Sequence, residues 1–99
     1  MNYWIHPDVE SELGDAAVFY AEQASVLVAA AFLAEFEHVT ELLVENQQRG
    51  PHGDHGLRVY HFDRFPYTLI YEEDALRGPQ IFAVAHQRRA PGYWRSRVG

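Results

Sequence analysis

Near the end of the chain, His86, Arg88, Arg89, Tyr93 and Arg95 follow one another in AHQRRAPGYWR, residues 85–95. An imidazole whose pKa lies near neutrality can take or give a proton at physiological pH. Guanidinium groups grip phosphate oxygens through paired hydrogen bonds. A phenol can stack on a base or pass a proton. RNA cleavage by attack of a 2′-hydroxyl needs such a set: a base for that proton, an acid for the leaving oxygen, and cations for the charge growing on phosphorus. His86, Arg89 and Tyr93 are the catalytic candidates in this reading. Arg58, Arg64, Arg88 and Arg95 are candidates for contact with a substrate or target.

Each of these residues also has a structural reading. His86 closes an apolar run, Ile81 to Ala85, and can serve as a hydrogen-bonded strand end. Arg88 and Arg89 alternate across that end, so at most one points the same way as His86. Arg89 can pair with a carboxylate of the helices, and Arg58 can pair across strands. Arg64 sits in a tight turn, DRFP, whose Asp63 can bond to the turn backbone. Tyr93 and Trp94 can pack on a sheet instead of a nucleobase. His52 and His55 flank Asp54 in HGDH, but that loop is glycine-rich and no distant third ligand is evident. No metal site and no cofactor are therefore expected.

The elements that must position these residues follow from pattern. NYWIH reads as a short first strand. Pro7 suits a first helical position, and Asp8 and Glu10 suit the positive end of that helix. Val9, Leu13, Ala16, Tyr20 and Ala24 recur at helical spacing. Ser25 is a fitting N-cap for a second helix. That helix has an apolar stripe of Ala29, Phe32, Leu33, Phe36, Val39 and Leu43, with Glu35, His38, Glu41 and Glu45 on the opposite, solvated face. The short break between the helices predicts an antiparallel hairpin. NQQRGPHGDHG, residues 46–56, is a polar loop. Three strands then follow, Leu57–Phe62, Tyr67–Glu72 and Gln80–His86, joined by connections short enough to be hairpins. The expected fold is α+β, in the order β-α-α-β-β-β: a small antiparallel sheet with the helical hairpin packed on one face. The conformation of the tail after Pro91 is left open by its sequence.

Composition bounds the rest. Ninety-nine residues form a single domain, 1–99. Cysteine is absent, which fits a reducing, cytoplasmic setting. The first residues lack the basic flank and apolar core of a signal peptide, and no apolar run is long enough to span a membrane. The net charge of −6 is unevenly distributed. Residues 1–48 carry nine acids and no lysine or arginine, whereas residues 49–99 carry eight arginines and five acids. Broad, non-specific gripping of a phosphate backbone is excluded by this balance; only a local basic rim is available.

With the elements in place, RFPYTLIYEE followed by IFAVAHQRRAPGYWRSR resembles the RelE/ParE superfamily of bacterial toxins. HPDVESELGDAAVFYAEQ is similar to the first helix of that superfamily, and AAAFLAEFEHVTELLVENQQRGP to its second helix and following loop. The resemblance implies the toxin half of a type II toxin–antitoxin pair, held inactive by a cognate antitoxin. It implies one of two targets: DNA gyrase, inhibited without a known catalytic site, or the translating ribosome, in whose A site mRNA is cut. Arg89 and Tyr93 fall on basic and aromatic positions of the family tail. Thr68 stands where ribosome-dependent relatives carry arginine, Gln87 at another basic position, and lysine is absent throughout. These departures favour a gyrase inhibitor. The rival is a ribosome-dependent endoribonuclease using His86 and Tyr93 for proton transfer and Arg58 and Arg89 on phosphate. A third possibility is a non-toxic module that only binds antitoxin.

Overall fold

The computed structural model describes residues 2–98. Two helices and four strands follow in the order β1 (Trp4–Ile5), α1 (Pro7–Gln23), α2 (Val26–Glu45), β2 (Arg58–His61), β3 (Tyr67–Glu72) and β4 (Gln80–His86). This is the α+β order expected from the sequence. His6 precedes α1, and its Nδ1 accepts a hydrogen bond from the Asp8 N–H at 3.1 Å. Pro7 takes the first helical position, where its missing N–H costs no intrahelical bond. The Ser25 hydroxyl accepts from the Val28 N–H at 3.1 Å and caps α2.

The sheet runs β1-β4-β3-β2. β2, β3 and β4 form an antiparallel meander, but β1 pairs with β4 in parallel, so the sheet is mixed where an antiparallel one was expected. The reason is the return path. The helical hairpin carries the chain across the sheet to its far edge, and the meander then brings β4 back beside β1, running the same way.

One face of the sheet receives the helices. Val9 and Ala16 of α1 and Phe32, Phe36, Val39 and Leu43 of α2 pack on Leu69, Tyr71, Ile81 and Val84. Two residues depart from the expected helix faces. Leu33 is partly exposed, and Glu35 is buried. The Glu35 carboxylate accepts hydrogen bonds from the backbone N–H groups of Asp63 and Arg64, at 2.6 and 3.2 Å, so it is satisfied inside the fold and is not a solvated face residue. The other sheet face is covered by the tail. Trp94 is buried there against a cluster of Leu57, Ile70, Phe82 and Ala83, and a short 3₁₀ turn, Arg95–Arg97, follows.

The loop from 46 to 57 is fastened to the sheet. The Tyr71 hydroxyl donates to the Gln47 carbonyl at 2.6 Å and accepts from the Gly50 N–H at 3.1 Å. Gly50 lies so close to β2 that a Cβ there would stand 2.3 Å from the Val59 carbonyl oxygen.

Candidate functional site

β1 pairs only with Gln80 and Ile81, which leaves the rest of that side of β4 without a backbone partner. Side chains fill the gap. The Glu12 carboxylate, one turn beyond Asp8 on α1, accepts from the Val84 N–H at 3.1 Å. Arg97 donates to the Phe82 carbonyl at 3.0 Å and to both Glu12 oxygens at 3.0 and 3.2 Å. Tyr93 donates its hydroxyl to the same carboxylate. Burial, then the hydrogen bond to Glu12 and its charge, raise the Tyr93 pKa far above the ordinary phenol value. Glu12 thus ties the tail to α1 and closes the exposed edge of β4.

The candidate residues sort themselves around this junction. His86 ends β4 opposite Tyr67, with the two rings edge to face at 5.1 Å. Its Nδ1 accepts from the Arg88 N–H at 3.0 Å, which places the proton of the neutral ring on Nε2. The Arg89 N–H bonds back to the His86 carbonyl at 2.9 Å, so the chain turns immediately after the strand. That turn lays the Arg89 guanidinium over the Tyr93 ring, 3.9 Å from its centre, a cation–π contact. His86 and Arg89 both line two shallow clefts, one of about 190 Å³ beside Asp15 and Phe19 and one of about 260 Å³ beside Thr68 and Arg95. Arg88 is exposed. Arg95 reaches Asp54 at 3.8 Å, with both side chains largely exposed.

Arg58 is placed elsewhere. Arg58 lies opposite Tyr71 in the β2–β3 pairing, whereas His86 lies opposite Tyr67 in the β3–β4 pairing. Four residues of β3 separate these positions, roughly 13 Å along the sheet. The Arg58 side chain is only 11% exposed; it pairs with Glu73 and donates to the Gly50 carbonyl at 2.7 Å. Arg64 sits in the β2–β3 turn, and its Nε contacts Glu35 at 3.3 Å. The fold therefore gathers His86, Arg88, Arg89, Tyr93 and Arg95 at one end of the sheet, folds the mostly buried Arg58 into a pair with Glu73, and joins the largely exposed Arg64 to the buried Glu35. Five of the eight arginines form ion pairs among the described residues: Arg58, Arg64, Arg77, Arg95 and Arg97.

Sequence reasoning missed Glu12 and Arg97 as the pair that builds this end. One signal was available: Asp8 and Glu12 stand four apart on one face of α1, and two like charges so placed call for a cation. Arg97 supplies it, with its Nε 3.5 Å from Asp8.

Comparison with known proteins gives the relationships. Residues 3–91 match the family described as ParE toxin of type II toxin-antitoxin system, parDE. No curated protein matches the chain. Among solved structures, the chromosomal ParDE TA system from P. aeruginosa is similar, with a TM-score of 0.74 and 18% identity, covering 87% of this chain and 95% of that one.

Proposed function

The chain belongs to the ParE toxin family and is the toxin component of a type II toxin–antitoxin system, and from that premise we propose that it arrests growth as a non-catalytic inhibitor of DNA gyrase in the cytoplasm. The observation that carries this reading is the state of the would-be nuclease residues. The Tyr93 hydroxyl is committed to Glu12, and its raised pKa makes it a poor base at neutral pH. Arg58 is folded into its pair with Glu73 far from His86. Thr68, which lines the larger of the two clefts, offers no charge. Of the candidates for strand cleavage, His86 and Arg89 supply a proton carrier and a cation, while Tyr93 is not free to serve as the second proton-transfer group. What remains is a compact, partly cationic end suited to contact with another macromolecule. Among the described residues no helix is long and apolar enough to cross a membrane.

The test uses purified toxin in two assays. In a supercoiling reaction the toxin should block gyrase, and the antitoxin should reverse the block. In a translation reaction, primer extension should find no toxin-dependent cuts in the mRNA. Codon-specific cuts that vanish with His86→Ala, in a variant that still folds, would assign the chain to the endoribonucleases instead. Expression without antitoxin that leaves growth untouched would reduce it to a binding module.

A further inference from the structure

The tail packs on the second sheet face around Trp94 and leaves the end that holds β1 open. Three residues stand in a row across that end. Trp4 of β1 pairs with Gln80 of β4, and Gln80 pairs with Glu72 of β3. Directly paired residues project to the same face, about 4.8 Å apart from strand to strand. All three line a shallow cleft of about 580 Å³, together with Phe82, Arg77 and Arg97. Trp4 is 41% exposed, and Phe82 and His6 brace it edge to face at 5.7 and 5.8 Å, so its ring is a fixed platform. Gln80 is only 6% exposed, and its amide nitrogen donates to the Gly78 carbonyl at 3.0 Å. Its amide oxygen has no donor among the described residues, where no fully buried side-chain nitrogen or oxygen lacks a partner. That oxygen is therefore open to the cleft. Glu72 is exposed and forms no ion pair among the described residues.

Charge decides what fits. The two arginines of the cleft are already committed. Arg77 is held by Asp74, with its Nε at 2.8 Å and a terminal nitrogen at 2.7 Å. Arg97 is held by Glu12 and lies 3.5 Å from Asp8. Around the cleft, the carboxylates of Glu72, Asp74, Glu12 and Asp8 thus stand against only these two guanidinium groups. The surplus is negative, which disfavours a phosphate and with it a nucleic acid. An aromatic face beside two free acceptors fits a flat cation. An ammonium is a hydrated point charge, whereas a guanidinium stacks on an indole and carries donors along its edge. The cleft is too open to enclose a free small molecule, but a side chain delivered by a protein needs no enclosure.

We propose that the row Trp4–Gln80–Glu72 is an acceptor site for an arginine side chain of a protein partner. The guanidinium rests over Gln80, between its neighbours in the row. From there it meets the Trp4 ring within the roughly 6 Å of a cation–π contact. On its other side it donates to the Glu72 carboxylate, and below it to the Gln80 amide oxygen. The site lies on the sheet face opposite the helical hairpin, and Glu72 and Gln80 stand at the other end of β3 and β4 from Tyr67 and His86. An arginine can therefore dock here without touching the hairpin or the cationic end. The inference does not depend on gyrase being the target.

The experiment titrates the full-length toxin with N-acetylarginine amide, which carries the side chain without a free amine or carboxylate, and follows it by NMR. Of the two indole N–H signals, that of Trp4 should shift and that of the buried Trp94 should not. A Kd on the order of 1 mM is expected for so small a probe. N-acetyllysine amide should bind roughly fivefold more weakly. Glu72→Gln should weaken the arginine probe roughly tenfold, whereas Glu41→Gln, an exposed acid on α2, should leave it unchanged. Trp4→Leu should also weaken it, read from the side-chain amide signals of Gln80. Trp4 and Glu72 are exposed, so the variants are expected to fold, and their spectra show whether they do. A silent Trp4 signal, equal binding of the two probes, or binding that survives Glu72→Gln overturns the proposal. Agmatine binding at micromolar concentration, far tighter than N-acetylarginine amide, overturns it too, because the occupant would then be a free guanidine.

Discussion

Glu12 accepts four hydrogen bonds, from the Val84 N–H, the Tyr93 hydroxyl and two nitrogens of Arg97. Both Glu12 and Arg97 side chains are 11% exposed. Removing the carboxylate leaves a cation and a strand-edge N–H short of partners in a poorly hydrated place. Glu12→Ala is expected to cost about 2–3 kcal/mol, and Glu12→Gln a comparable amount, because its amide nitrogen would face donors where a carboxylate oxygen accepts from two. Urea unfolding of the two variants checks this; equal, small losses would mean that water replaces Glu12 without penalty. Tyr93→Phe removes one of the four bonds and should cost about 1 kcal/mol. These residues also show what was legible at this scale. The clustering of His86, Arg88, Arg89 and Tyr93 was visible because they are neighbours in sequence. The separation of Arg58 from them was not, since it depends on strand register. The partnership of Glu12 with a tail more than eighty residues away was also hidden, because only the closed sheet brings them together.

At the scale of elements, periodicity carried most of the information. Helical spacing and the two caps located α1 and α2, and β3 and β4 span the residues their apolar runs indicated. β1 shrank to two residues, too short to show any period, and its parallel pairing could not be read from NYWIH. The tail was unreadable for another reason: Trp94 finds its place only on a sheet face that the strands create together. The cap of α2 gives a direct test of local encoding. Ser25 is the helix's only side-chain cap at that end, and no acid occupies the first turn to compensate for its loss. Ser25→Ala should destabilise the protein by about 1 kcal/mol, and Ser25→Asp should retain the stability. Thermal unfolding measures both. An unaffected alanine variant would show that packing of Phe32, Phe36 and Val39 alone fixes where the helix begins.

Over the whole molecule, folding offsets part of the charge asymmetry of the sequence. Acids from the first half meet arginines from the second half in Glu12–Arg97, Asp8–Arg97 and Glu35–Arg64. The polarised chain therefore becomes a body whose cationic end is narrower than the sequence suggests, centred on Arg88 and Arg89. The same closure buries phenols. Tyr20, Tyr67, Tyr71 and Tyr93 all have pKa values raised above the ordinary 10.0, with burial the largest cause in each case. A phenol becomes charged when it loses its proton, so the folded state holds these protons more tightly than the unfolded chain. Below pH 10 both states are protonated and the stability is fully present. Above pH 10 the unfolded state sheds protons that the folded state keeps, so stability falls as pH rises through the raised folded values. Unfolding in urea across about pH 9 to 11.5 should show this decline. Tyr93→Phe should make it shallower by close to one proton, because Tyr93 has the strongest shift and one fewer phenol then titrates only on unfolding. A slope identical in the variant would mean that the Tyr93 hydroxyl is open to water, and the Glu12 junction with it.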